Sequence, residues 1–177
     1  MLVHGPAGIG KSLAIATVLT RVRDRLAEMG ADGNTLLVER LTPANFVSSK
    51  DQQKVLTTAF ESVLTAGRPA ILWVEEIEYI AKTKPLFYSF LAQLDSFVGE
   101  RVLVLATTSK LSDVDKSLRR GGRLDLDVRF DMPTAQDRLE IMKVHLAGLK
   151  DVEVTINDEE LTNMANASSG FVSSDIA

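Results

Sequence analysis

The chain has 177 residues, a formal net charge of −4 at pH 7 and no cysteine, so it contains neither disulfides nor thiolate metal sites. Hydrophobic residues make up 45% and charged residues 25%, the balance of a globular protein with one well-buried core, and no apolar run is long enough to cross a bilayer. The negative charge gives no global attraction to nucleic acid or to an anionic membrane. We therefore expect an intracellular protein, cytoplasmic or nuclear, without a direct nucleic-acid or membrane signal.

A glycine-rich run with the spacing G-x-x-x-x-G-K-[ST] stands at residues 5–12. It follows a short apolar strand at residues 2–4 and precedes a helical pattern over residues 13–29, which is where a phosphate-binding loop must lie. Glycines let successive backbone N–H groups point at a phosphate, Lys11 reaches the β- and γ-phosphate oxygens, and the Ser12 hydroxyl binds Mg²⁺. The alternative, a turn that carries Lys-Ser by chance, does not explain this placement. The predicted cofactor-binding residues are Gly5, Pro6, Ala7, Gly8, Ile9, Gly10, Lys11, Ser12 and Leu13.

Apolar strands alternate with helices along the rest of the chain. Strands are predicted at residues 36–38, 70–74, 102–106 and 126–130, and the first three lack polar alternation, as strands buried on both faces do. Helices are predicted at residues 50–66 and 85–97, and a further helix opens at Pro133-Thr134. This alternation predicts a three-layer α/β domain with a parallel sheet.

The character of the sequence changes after Leu149. Residues 150–156 are predicted as a linker or short strand, residues 158–166 as a helix, and residues 168–174 as a turn that opens toward another helix. We expect a nucleotide-binding core domain over residues 1–149 and the start of a small helical lid over residues 150–177. The chain would then be a fragment of a longer polypeptide, and frayed natural termini are the alternative.

A second functional pattern lies at the end of the strand at residues 70–74, where two carboxylates follow an apolar run. In a parallel sheet these side chains emerge at the C-terminal edge, where α/β proteins bind ligands. Glu75 is placed to hold Mg²⁺, through its waters, and Glu76 to accept the proton of an attacking water. Acids that simply end a strand at a solvated edge are the alternative, and the loop at residues 5–12 argues against it.

These motifs, in this order, resemble those of the AAA+ ATPases, in the branch that contains the Cdc48-like and NSF-like proteins. They are the glycine-rich loop and the segments ILWVEEIEYI (71–80), VLVLATTS (102–109) and LRRGGRLD (118–125). The segments PTAQDRL (133–139) and GFVSSDI (170–176) look most like the ribosome-assembly and Cdc48-type members. The resemblance covers essentially the whole chain. It implies a P-loop NTPase fold with a five-stranded sheet, ATP and Mg²⁺ as cofactors, and hexameric rings, homomeric or heteromeric, with ATP at subunit interfaces.

The resemblance also implies roles for single residues. Ser109 corresponds to the polar sensor beside the γ-phosphate, and Arg120 and Arg123 correspond to arginine fingers aimed at the ATP of a neighbouring subunit. A planar, permanently charged guanidinium suits the charge that a phosphoryl transition state spreads over its oxygens. The alternative for these arginines is a solvated turn that pairs with Asp125 or Asp127.

Several positions depart from the pattern of the family. Glu75 stands where aspartate is usual, and Ser109 stands where asparagine is usual. Residues 95–97 (DSF) resemble the Asp-Gly-Phe element that passes nucleotide state between subunits, and a helix end with a buried phenylalanine is an equal alternative. The resemblance therefore supports ATP binding more firmly than rapid hydrolysis.

The function implied is ATP hydrolysis that drives remodelling or unfolding of a protein or ribonucleoprotein substrate. Phe46 and Val47 are the candidate pair for gripping a polypeptide threaded through the ring, with Phe46 as a core anchor the alternative. One rival function is a weakly hydrolysing regulatory module that stabilises a ring. A P-loop kinase or GTPase is a remote rival, since the chain has no Asn-Lys-x-Asp guanine reader.

Overall fold

The computed structural model describes residues 1–32, 35–97, 100–149 and 155–177. A five-stranded sheet with the order β2-β3-β4-β1-β5 forms its centre, and its paired neighbours are parallel. The strands are β1 (Leu2–His4), β2 (Leu37–Leu41), β3 (Ala70–Val74), β4 (Val102–Thr108) and β5 (Asp127–Arg129). The predicted three-layer α/β fold of a P-loop NTPase is confirmed.

Helices connect and flank these strands. They are α1 (Lys11–Glu28), α2 (Pro43–Val47), α3 (Gln52–Leu64), α4 (Glu78–Lys82), α5 (Lys84–Leu94), α6 (Ala135–Ala147), α7 (Asp158–Ala167) and α8 (Ser173–Ile176). Single 3₁₀ turns lie at Asp95–Phe97, Leu111–Asp113 and Lys116–Arg119. The short helices α2 and α4 were not predicted, because one turn of helix shows no periodicity. In the described residues, no helix is long and apolar enough to span a bilayer.

The chain divides into two compact units, Met1–His4 with Ser12–Arg129, and Gly5–Lys11 with Phe130–Ala177. The first unit holds the sheet and the main core. Strand β3 lies between β2 and β4 with every residue buried, as a central parallel strand requires. The predicted boundary between a core domain (1–149) and a lid (150–177) falls at residues 150–154, outside the described residues, and stays a prediction.

An aromatic cluster fixes α3 against α5 in the first unit. The rings of Phe60 and Phe90 meet edge to face with centroids 5.6 Å apart, and Phe97 stacks on Phe60 at 4.9 Å. Phe60 and Phe90 are fully buried. Residues 95–97 end the helix, as one of their two interpretations expected, but Phe97 is only partly buried there.

In the second unit, a buried arginine ties α6 to α7. Arg138 is only 6% exposed. Its guanidinium donates to the carbonyl oxygen of Ala165 at 2.8 and 3.0 Å, to Ser168 Oγ at 3.1 Å and to the carbonyl oxygen of Pro133 at 2.8 Å. These acceptors satisfy the donors of a charge that would otherwise be costly to bury. The start of α6 is capped by Thr134 and Asp137, which bond reciprocally.

Candidate nucleotide site

The glycine-rich loop adopts a backbone that favours glycine at three of its positions. Gly5 has φ +152°, Gly8 has φ +73° and Gly10 has φ +94°. A Cβ at Gly5 would collide with the carbonyl oxygen of Phe130, and a Cβ at Gly8 would collide with the side chain of Ser174. Both the conformation and the close packing therefore require glycine. The loop is a tight cradle of backbone, as phosphate binding demands.

Donors from α8 and from the loop itself bond to the loop's carbonyl oxygens. Lys11 Nζ donates to the carbonyls of Gly5 and Pro6 at 2.7 and 2.8 Å. The Ser174 N–H donates to the Gly8 carbonyl at 2.9 Å, and Ser173 Oγ lies 3.3 Å from the Ile9 carbonyl. The contacts of Ser173 and Ser174 hold the shape of the loop, and Lys11 lies across it.

Helix α1 starts at the end of this loop and provides a positive pole. It has 18 residues and carries no acidic side chain in its first turn, where Ser12 and Leu13 lie. The partial positive charge of the helix N-terminus is therefore not neutralised by its own first-turn side chains. The glycine cradle and Lys11 form a donor set that fits phosphate. The Ser12 hydroxyl and the Glu75 carboxylate are oxygen ligands of the kind that Mg²⁺ prefers.

In the first unit, the metal-side candidate Glu75 is held by an arginine from β2. Arg40 Nη2 and Nε donate to Glu75 Oε1 at 2.8 and 3.2 Å. The same guanidinium lies over the indole of Trp73, with Cζ 4.4 Å from the ring centroid. Glu75 is largely buried, with 13% of its side chain exposed, and Arg40 supplies the positive partner that this carboxylate needs.

The candidate general base Glu76 has a strained backbone. Its φ of 48° places it in the left-handed region, and within the described residues it is the one non-glycine residue with positive φ. Its N–H donates to Thr107 Oγ1 on β4 at 3.1 Å, and its side chain is exposed. Such conformations cost about 1–3 kcal/mol and cluster at functional sites. The strain therefore agrees with a functional role for this position.

The candidate sensor Ser109 follows β4 and is bound to an acid. Its Oγ donates to Glu78 Oε1 at 2.8 Å, and its N–H donates to the same oxygen at 3.1 Å. Glu78 begins α4, so this pair joins the segments that follow β3 and β4. A hydroxyl already shared with a carboxylate must rearrange before it can donate to a phosphate.

The candidate arginine fingers differ in environment. Arg123 donates to both carboxylate oxygens of Asp95 at 2.8 and 2.9 Å and to the Ser117 carbonyl at 2.7 Å. Its partner is therefore Asp95 and not the Asp125 or Asp127 of the alternative interpretation. The hydrogen bond from Arg123 lowers the pKa of Asp95 and raises that of the guanidinium. Arg120 is exposed.

The candidate pore-loop residues Phe46 and Val47 lie on α2. Phe46 is only 2% exposed and stacks on Tyr79 with centroids 5.6 Å apart, which is the placement of a core anchor. Val47 is 71% exposed and is the member of the pair that solvent reaches. A role for Phe46 in gripping a substrate stays a prediction, and it requires this ring to leave the core.

Sequence reasoning missed the partners of the candidate residues. Arg40 and Glu78 were not singled out, and Asp95 was not linked to Arg123. Arg40 sits opposite Trp73 in the register of β2 and β3, which no sequence pattern shows. In the described part of the chain, no cluster of three or more His, Cys, Asp or Glu residues suggests a separate metal site.

Over residues 1–132, the sequence matches the family described as AAA, the ATPase family associated with various cellular activities. The chain belongs to the AAA family. This AAA module is 26% identical to the ATPase family gene 2 protein of Schizosaccharomyces pombe, over 187 residues that cover 100% of the chain and 21% of that relative. It is 27% identical to protein CdcH of Halobacterium salinarum, over 99% of the chain and 23% of that protein.

The ATP-dependent zinc metalloprotease FtsH of Helicobacter pylori is 28% identical to the AAA module, over 100% of the chain and 28% of the protease. The module thus spans between 21% and 28% of the length of these relatives. Each of these relatives contains a segment that matches nearly the whole of this chain. The family is one of ATPases, and P-loop nucleotide binding is its shared property.

Proposed function

We propose that this AAA module binds ATP with Mg²⁺, hydrolyses it, and thereby drives the remodelling or unfolding of a protein or ribonucleoprotein substrate. The observation that carries the proposal is the backbone cradle of Gly5–Lys11, with its two steric requirements for glycine, at the start of a helix with no acid in its first turn. Structural features of this kind bind phosphate because N–H dipoles and the helix end attract an anion.

Each candidate residue has a role in this scheme. Lys11 and the loop backbone would bind the β- and γ-phosphates, and Ser12 and Glu75 would hold Mg²⁺. Bound Mg²⁺ would neutralise charge on the phosphates and leave the protein to position the attacking water. Glu76 accepts the proton of that water, and Ser109 orients near the γ-phosphate once it leaves Glu78.

Assembly completes the proposal. Members of the AAA family generally form oligomeric rings, and we infer a hexamer, homomeric or heteromeric, of the Cdc48-like and NSF-like branch. Arg123, with Arg120, would then act on the ATP of a neighbouring subunit. The FtsH relative is an ATP-dependent zinc metalloprotease, which supports a polypeptide as the substrate. Residues 1–149 would form the core domain, residues 150–177 would begin a lid, and the location would be cytoplasmic or nuclear.

A second candidate function is supported by two contacts. Arg40 donates to Glu75, and Ser109 donates to Glu78, so the candidate metal ligand and the candidate sensor both start from bonds that compete with hydrolysis. A module of this kind would bind ATP and stabilise a ring while hydrolysing slowly. The two functions differ in turnover and share the same nucleotide site.

The test is release of phosphate from saturating Mg-ATP, measured for the parent and for two variants. Glu76→Gln should keep ATP binding and abolish turnover, because an amide cannot accept the proton. Glu75→Gln should mainly raise the Mg²⁺ concentration that turnover requires. Full turnover in Glu76→Gln would refute the general base, and a ring-forming parent that binds ATP without hydrolysing it would favour the regulatory function instead.

A further inference from the structure

Arg40, Trp73 and Glu75 form a three-part contact at the end of β3. Arg40 is the register partner of Trp73 across the parallel pair β2 and β3. Glu75 lies two residues beyond Trp73, and alternation along the strand turns both side chains to the same face. The guanidinium therefore stacks on the indole at 4.4 Å and reaches the carboxylate at 2.8 Å in one conformation.

The stacking gives this ion pair a preferred geometry. Trp73 is only 4% exposed, so the indole is a fixed platform. A guanidinium within about 6 Å of a tryptophan ring gains cation–π attraction, which helps to offset the entropy lost in ordering a long side chain. Both arginine donors meet the same oxygen, Glu75 Oε1. The cation thus occupies one oxygen of the carboxylate proposed to hold Mg²⁺.

We propose that Arg40 is a positioning residue that competes with Mg²⁺ for Glu75, and that loading with Mg²⁺ and ATP moves its guanidinium off the Trp73 indole. This inference rests on the nucleotide site proposed above. Two cations, Mg²⁺ and the Arg40 guanidinium on β2, would then compete for the same carboxylate. Half of the Arg40 side chain is exposed, at 52%, so it has room to swing into solvent.

The chain contains one tryptophan, so its fluorescence reports on this contact directly. Emission from Trp73 is recorded with Mg²⁺ alone, with ATP and EDTA, and with Mg²⁺ and ATP together. We expect the last condition to change the emission beyond the change that ATP and EDTA cause. Arg40→Met should lose that magnesium-dependent step, because no guanidinium remains to leave the ring. Arg23→Met, which removes the same charge from the exposed face of α1, should retain it.

A magnesium titration supplies the second readout. Binding of a fluorescent ATP analogue at increasing Mg²⁺ should reach half of its magnesium-dependent change at about two- to fivefold lower Mg²⁺ in Arg40→Met than in Arg23→Met, a modest shift because partly exposed ion pairs are weak. Arg40→Lys should fall between, since lysine keeps the charge and loses the fork of two donors. Thermal unfolding verifies that each variant is folded.

The outcomes separate this inference from the proposed function. If the parent, Arg23→Met and Arg40→Met bind ATP with the same magnesium dependence and the same Trp73 response, the competition is overturned and the nucleotide site stands. If none of them binds ATP with or without Mg²⁺, both are overturned. The competition is supported if Arg40→Met reaches half of its magnesium-dependent change at a lower Mg²⁺ concentration and loses the magnesium-dependent change in Trp73 emission.

Discussion

The pairing of Arg123 with Asp95 shows how the partner of one side chain decides what that side chain is free to do. Arg123 donates to both carboxylate oxygens of Asp95 and to the Ser117 carbonyl, so its donors are used within its own chain. For Arg123 to reach the nucleotide of a neighbouring subunit, these bonds must exchange for bonds to phosphate. In the single chain, Asp95 and the Ser117 carbonyl thus hold the Arg123 side chain in one position.

The pKa of Asp95 tests this pair. The hydrogen bond from Arg123 holds the pKa of that carboxyl below the ordinary value of 3.8. Because the folded-state pKa is depressed, the pair contributes stability above about pH 4 and loses it as the pH falls through the lowered pKa. Arg123→Ala should therefore raise the pKa of Asp95, measured from the pH dependence of its carboxyl carbon by NMR. An unchanged titration in the variant would show that the pair does not persist in solution.

The sequence offers candidate functional residues, but it does not show their contacts. Lys11, Ser12 and Glu75 follow from motif spacing and from an apolar strand that ends in acid. The contact between Arg40 and Glu75 depends on the register between β2 and β3. The contact between Glu78 and Ser109 depends on the position of α4 relative to the end of β4. Both contacts are set by the tertiary structure, which the sequence pattern does not show. The burial of Arg138 could not be predicted either, because hydrophobic periodicity treats arginine as exposed.

At the scale of elements, a buried aromatic pair contributes to the contact between α3 and α5. Phe90 is fully buried edge-on to Phe60, whereas Tyr88, on the same helix, is 65% exposed. Phe90→Ala should lower the free energy of unfolding by about 3–5 kcal/mol, because it leaves a cavity that neighbours only partly fill. Tyr88→Ala is the matched control and should cost less than about 1 kcal/mol. Urea denaturation of both variants measures the difference, and equal losses would contradict the packing described.

The strands and the long helices were predictable, whereas the one-turn helices α2 and α4 were not. The stripe on α1 and the unbroken apolar run of β3 are strong signals, and the predicted strands at residues 36–38 and 126–130 are present with bounds shifted by one to three residues as β2 (Leu37–Leu41) and β5 (Asp127–Arg129). Helices α2 and α4 have five residues each, too few to reveal a period of 3.6. The burial of Phe46 on α2 follows from its stacking on Tyr79, which is a contact of high sequence separation.

At the scale of the whole molecule, the proposed ring makes catalysis a property of an interface. An arginine finger supplied by a neighbour is worth about a thousandfold or more in turnover. Specific ATPase activity of the ring-forming protein should therefore rise with its concentration. Arg123→Ala and Glu76→Gln should each be inactive alone.

Mixing the two variants should restore part of the activity, since some interfaces then join an intact Glu76 to an intact Arg123. Recovery is expected unless the ring requires every subunit to act together. If it does, the dependence of activity on protein concentration still tests whether Arg123 acts between subunits. Activity that is independent of concentration, together with an Arg123→Ala variant as active as the parent, would leave Arg123 as a residue that only braces Asp95.

The central claim is that residues Gly5–Ser12 bind the phosphates of ATP, and the affinity of a fluorescent ATP analogue for the parent and for Lys11→Ala tests it most directly. Lys84→Ala, which removes an exposed lysine from the start of α5, is the control for loss of charge. Removal of a charge-assisted contact to phosphate should weaken binding about tenfold or more in Lys11→Ala and leave Lys84→Ala like the parent. Equal affinities in all three proteins, with Lys11→Ala still folded by thermal unfolding, would contradict the account.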